Sequence, residues 1–78
     1  MSTLINLKSN QAVNLSFSEE KMTIFMEDGR EIRIPLEWFP RLREATMEQL
    51  ENWRFIGNGE GIHWNELDED LLVSELVS

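Results

Sequence analysis

Between Val13 and Pro35, apolar and polar residues alternate with a period of two, and the pattern turns back on itself at Asp28-Gly29. Val13, Leu15 and Phe17 are spaced by Asn14 and Ser16. Met22, Ile24 and Met26 are spaced by Thr23 and Phe25, and Ile32 and Ile34 by Arg33. Such alternation belongs to strands with one face against a core, and Asp-Gly between two alternating runs marks a hairpin. The pattern also selects the loop. A two-residue loop would set Ile24 opposite Arg33. A three-residue loop over residues 27–29 sets Met26 opposite Arg30, Ile24 opposite Ile32 and Met22 opposite Ile34, so one face is apolar on both strands. A slip of one residue flips every side chain, which favours the second register. Gly29 then takes the left-handed position, where glycine has no steric cost. Residues 18–21 make a polar turn, and the result is a three-stranded antiparallel meander.

Pro35 ends this regime, because proline cannot donate to a central ladder. Residues 36–45 read as a short helix with Pro40 in its first turn, where the missing N–H has no helical partner anyway. Thr46 followed by Gln49 forms a capping box, which opens a second short helix running to about Trp53. Residues 54–56 and 62–64 read as short extended pieces around the loop Gly57-Asn58-Gly59-Glu60-Gly61. Residues 65–70 are polar and acidic. Residues 71–77 fit a strand, a helical turn, or one after the other. The expected fold class is α+β: a three-stranded antiparallel meander, then short helices and one or two further short strands, all in a single domain over residues 1–78.

A chain of 78 residues buries only about 60% of the surface its unfolded form exposes. It has no cysteine, so neither a disulfide nor a thiolate metal site can hold it together. Its N-terminal residues lack the charged start and apolar run of a signal peptide, and no stretch nears the roughly 20 apolar residues of a membrane span. A cytoplasmic location is expected, with no membrane contact. Residues 1–43 carry equal numbers of acidic and basic groups, whereas Arg54 alone offsets nine carboxylates in residues 44–78. The net charge of −8 therefore sits in the second half. That half repels a phosphate backbone, which argues against direct nucleic-acid binding. It attracts a basic protein surface.

The chemistry-bearing patterns are sparse. The glycine loop lacks the Lys-Ser/Thr pair of a P-loop, since Ile62-His63 follows it, and its glycine spacing misses the dinucleotide fingerprint. Gly29, Gly57, Gly59 and Gly61 are read as turn glycines. His63 is the single histidine. It would need carboxylate partners to hold a metal, and residues 68–70 are too short for a calcium loop. No metal and no cofactor are expected. No serine lies in a nucleophile elbow, and a paired-carboxylate hydrolase needs a cleft that a domain of this size rarely builds. An enzyme is not expected and no catalytic residue is assigned. Trp38, Phe39, Trp53, Phe55 and Trp64 are five of the seven aromatics. Some must fill the core, but tryptophan is rarely wholly buried, and tryptophan beside arginine is a common binding hot spot.

These residues also carry a resemblance. Asp-Gly-Arg at 28–30, Pro-Leu-Glu-Trp-Phe-Pro-Arg-Leu at 35–42, Asn-Trp-Arg-Phe-Ile-Gly-Asn-Gly-Glu-Gly-Ile-His-Trp at 52–64 and Leu-Asp-Glu-Asp at 67–70 resemble the motifs of the bacterial domain of unknown function 2442 family. The likeness runs from about residue 12 to 77. It departs at Leu71-Leu72-Val73-Ser74, where the family has a short apolar segment with an early serine. The resemblance implies an α+β fold. It also implies a domain found alone or joined to a helix-turn-helix, in some cases beside the gene of another small domain in a toxin–antitoxin-like arrangement. This chain resembles the stand-alone form, and no catalytic residues carry over.

Two functional readings follow. In the first, the domain binds another small, basic protein, with Trp38, Arg41 or Trp64 as anchors and Glu66, Asp68, Glu69 and Asp70 as an acidic rim. A second copy of the chain is a further candidate partner. In the alternative, the domain senses a small molecule held between the tryptophans and the glycine loop.

Overall fold

The computed structural model describes residues 11–76. The reading of residues 1–10 as a non-signal N-terminus, and the end of the apolar tail at Val77, lie outside the described residues. Strands β1 (Ala12–Ser18), β2 (Lys21–Met26) and β3 (Glu31–Pro35) form one antiparallel sheet in the order β1-β2-β3. A 3₁₀ turn (Leu36–Trp38) and two single-turn helices, α1 (Pro40–Arg43) and α2 (Met47–Leu50), follow. Then β4 (Trp53–Ile56), β5 (Gly61–Trp64) and β6 (Glu69–Leu72) form a second antiparallel sheet in the order β4-β5-β6, and α3 (Val73–Leu76) closes the described chain. The fold is α+β, as the alternation and the switch at Pro35 predict.

The β2–β3 hairpin has the three-residue register. Met22 pairs with Ile34 and Ile24 with Ile32. The Met26 amide donates to the Arg30 carbonyl at 2.8 Å, and Gly29 sits at φ +97°. Every inward position of β2 is buried. The first strand departs from its simple alternation. A bulge between Ala12 and Asn14 leaves Val13 outside the register, so Ala12 and Leu15 face the core while Val13 is 56% exposed. A bulge adds one residue to a strand and shifts the facing of whatever precedes it.

The segment predicted as one helix over 36–45 is two pieces. Phe39 is extended at φ −126°, ψ 99°, because the ring of the following Pro40 disfavours helical angles in the residue before it. Pro40 itself takes the first helical position. The capping box forms as predicted. Thr46 Oγ1 accepts from the Gln49 amide at 3.1 Å, and Gln49 Oε1 accepts from the Thr46 amide at 2.9 Å. The helix it opens stops at Leu50, short of Trp53, which is claimed by β4.

The second sheet has three strands where two short ones were expected. Residues 71–76 are a strand end followed by a helical turn, one of the readings the sequence left open, and β6 begins two residues earlier, in the acidic segment, to give β5 its second neighbour. One cluster joins the inward rows of both sheets with Leu36, Leu42 and Leu50 from the connecting turns. The sheets are also tied through main-chain atoms, since the Ala12 amide donates to the Gly59 carbonyl at 2.8 Å. Among the described residues no helix is long and apolar enough to cross a membrane.

Candidate functional site

The outward display of Trp38 follows from the break at Phe39. Leu36 is buried and its amide donates to the Glu20 carbonyl at 2.8 Å. Leu42, on α1, is fully buried. With both leucines pointing inward and Phe39 extended between their turns, Trp38 faces solvent and is 64% exposed. Burying an indole is worth more than leaving it in water, so an exposed tryptophan held by two buried neighbours is a candidate contact residue.

Arg41 lies three residues further on. Its Nη1 donates to the Asp68 carbonyl at 2.7 Å and lies 3.7 Å from the Asp68 carboxylate. It thereby fastens α1 to the turn before β6, where Asp68 takes φ +55°. That conformation is uncommon outside glycine, though aspartate is among the residues that tolerate it best. Arg41 remains exposed and is thus both a clamp and part of the surface.

Of the acidic rim proposed from sequence, the Asp68 side chain is 95% exposed and that of Asp70 65%, and each also has a side-chain neighbour. Glu66 accepts from the Gln49 side chain at 3.1 Å. Asp68 faces Arg41, and Asp70 faces His63. Glu69 is half-buried at the position paired with Trp64. Glu48 and Glu51 of the α2 region have no hydrogen bond or ion pair from their side chains among the described residues. Glu48 and Glu51 line a shallow hollow with Asn52 and Glu66. Glu19, Glu20 and Glu37 border a second hollow, which Met47 and Leu50 of α2 also line. Counting charge by halves hid this second group, because its members come from the electrically balanced first half of the chain.

Trp64 corrects the anchor assignment. It is fully buried, and its indole N–H donates to the Leu50 carbonyl at 2.8 Å. Phe17 meets its ring edge-on, with centroids 6.4 Å apart. Trp64 lies on β5, the central strand, on the same face as buried Ile62. The parity of Gly61-Ile62-His63-Trp64 carried that signal, since residues two apart share a face. Trp53 and Phe55 pack against each other at 4.7 Å and are half-buried at the margin of the core.

Three of the four turn glycines have positive φ: Gly29, Gly57 and Gly59. Gly61 does not belong with them. It is the first residue of β5, where a Cβ would be crowded, 3.2 Å from the Ile56 side chain and from the Leu71 carbonyl. Gly59 packs directly on the Ala12 main chain. Of the parts that the small-molecule reading invoked, Trp64 is buried in the core and Gly59 is packed against Ala12.

On the opposite face of the second sheet, the register aligns Arg54, His63 and Asp70 in one row. Nδ1 of His63 is hydrogen-bonded to Asp70 Oδ1, and Nε2 faces Asn65 Oδ1 at 3.4 Å. Both ring nitrogens meet oxygen acceptors, and only the imidazolium can donate to two. The hydrogen bond to Asp70, supported by Asn65 and by the Asp70 charge, raises the His63 pKa above its ordinary 6.5, against smaller opposing effects of desolvation and Arg54. A raised folded-state pKa contributes stability below the unfolded value and loses it as pH rises through the folded value. The expected result is a His63 proton titration with its midpoint above 6.5 that returns towards 6.5 in Asp70→Asn, followed by NMR. Equal midpoints would refute the pairing. Among the described residues, no three His, Asp or Glu side chains converge as a metal site would need.

These features define a small α+β domain of two three-stranded meanders, joined by short turns that display one tryptophan, a clamped arginine and clustered carboxylates. The family model described as Protein of unknown function (DUF2442) matches residues 12–78, and the chain belongs to that family. No curated protein and no solved structure matches it.

Proposed function

We propose that the domain is a non-enzymatic protein-binding module of the cytoplasm, antitoxin-like in holding a small basic protein, with Trp38 as its principal anchor and Arg41 beside it. The observation that carries this reading is the 64% exposure of Trp38 on a turn held by buried Leu36 and Leu42. The carboxylates around α2 support a basic partner, because complementary charge speeds encounter and selects among partners. Glu48 and Glu51, beside Glu66 in the same hollow, extend the acidic rim of Glu66, Asp68, Glu69 and Asp70.

The test is quantitative affinity capture from the native host with three baits: the wild-type chain, Trp38→Ser and Val13→Ser. Removing an anchor typically costs about 2 kcal/mol or more, which is more than tenfold in affinity. A partner retained by wild type and Val13→Ser but lost by Trp38→Ser is the expected outcome. A partner retained equally by all three removes Trp38 as the anchor and the reading with it.

A further inference from the structure

The geometry points to a built receptor for one basic side chain, a lysine or arginine of the partner protein, in the hollow between the β1–β2 turn and α2. This inference rests on the protein-binding reading and names the part of the partner that this surface takes.

The hollow has a volume of about 360 Å³, enough for a long side chain and some of its backbone. Its floor is apolar: Leu36 and Leu50, both buried in the core, and half-buried Ala45. Met47 forms one wall and is 46% exposed, and a thioether is an adaptable contact for aliphatic chains. The rim carries the charge, with Glu19, Glu20 and Glu37 around the same opening. None of the three has a hydrogen bond or ion pair from its side chain among the described residues. Among the described residues Arg43 is the one cation of the lining, and its Nη2 is drawn to Glu44 at 3.1 Å. Lys21 shares a neighbouring hollow with Glu19 and Glu20, and no ion pair joins it to them among the described residues.

An apolar floor under an anionic rim matches the two ends of a basic side chain. Methylenes of lysine and arginine lie along apolar surface while the charged head stays at the polar edge, where charge-assisted hydrogen bonds to carboxylates are the stronger kind. A fatty acid meets the wrong charge at this rim, and an uncharged apolar side chain leaves the three carboxylates unused. The aromatic anchor at Trp38 and this receptor are separate features of the surface, so one partner can engage both.

The test uses methyl NMR of the full chain with three probes: acetyl-Gly-Lys-Gly-amide, the same peptide with norleucine in place of lysine, and spermidine. Saturable shifts of the Met47, Leu36 and Leu50 methyls are expected with the lysine peptide. They should weaken about tenfold with norleucine and in Glu20→Gln/Glu37→Gln, while the exposed Ile56 and Leu72 methyls stay still. Absent shifts overturn the proposal, as do shifts of equal size at Ile56 and Leu72, which would mark general ionic screening. Spermidine binding as tightly as the peptide would assign the hollow to free polyamines and also overturn it. Loss of capture by Trp38→Ser with no peptide binding would leave the protein-binding reading standing without this receptor. The converse pair of results would do the reverse.

Discussion

Replacing Gly59 by alanine is expected to destabilise the domain on the order of 3 kcal/mol, while the same change at Gly29 costs about 1 kcal/mol. Both glycines have positive φ, +81° and +97°, so both substitutions pay the left-handed penalty of an L-residue. They differ in what the new methyl meets. At Gly29 nothing lies within 4 Å. At Gly59 an added Cβ would sit 2.1 Å from the Ala12 carbonyl oxygen and 2.8 Å from its amide nitrogen. These are main-chain atoms of β1 and cannot swing aside as a side chain can. The amide in question also donates to the Gly59 carbonyl, so relieving the clash breaks the bond that ties the first sheet to the 57–60 turn. At roughly 4–8 °C per kcal/mol for a domain of this size, Gly59→Ala should melt more than about 10 °C below wild type and Gly29→Ala well under that. Gly57→Ala provides a third point. Its Cβ would approach only the Glu60 side chain, at 3.1 Å, so it should resemble Gly29→Ala. Equal melting of all three variants would show that the Ala12 contact does not constrain the fold.

The legible parts of this fold are those set by neighbours in sequence. The β2–β3 register followed from the demand that Met22, Ile24 and Met26 face Ile32 and Ile34. The cap on α2 followed from Thr46 and Gln49, three residues apart. What escaped was set by partners far along the chain. Val13 reads as an inward residue until the bulge that turns Ala12 to the core is known. Residues 69 and 70 read as part of an acidic segment until they are seen to open the strand that pairs with β5. The candidate site shows the same division. The exposure of Trp38 follows from Pro40, which breaks the helix at Phe39, and the aromatic-arginine pattern was visible. The gathering of Glu19, Glu20 and Glu37 beside α2 was not, because a sheet turn and a helical turn meet there across roughly ten to thirty residues of chain. Charge summed along the chain cannot see charge brought together across it.

Trp64 and Trp38 provide the sharpest contrast. Trp64→Ala should abolish or nearly abolish folding, while Trp38→Ala leaves stability within about 0.5 kcal/mol of wild type. Trp64 is fully buried on the central strand, touches Phe17 edge-on and satisfies the Leu50 carbonyl. Truncating a buried tryptophan to alanine costs about 3–5 kcal/mol. Domains hold roughly 0.05–0.15 kcal/mol per residue, so a chain of this length has about 4–12 kcal/mol to lose. Trp64→Phe separates the two contributions. It keeps most of the apolar contact but leaves the Leu50 carbonyl, at the end of α2, without its donor, a loss of about 1–3 kcal/mol. The capping box secures the start of α2 and the Trp64 indole secures its end, so Trp64→Phe should loosen α2 first. Hydrogen exchange at the amides of Leu50 and Glu51, which bond back to Thr46 and Met47, should quicken more than exchange in β2. Urea unfolding followed by far-ultraviolet circular dichroism ranks the variants without relying on tryptophan fluorescence. If Trp64→Ala unfolds at the wild-type midpoint, the indole is not the keystone of this core. If Trp38→Ala is the variant that collapses, the roles of the two tryptophans are reversed and the exposed anchor goes with them.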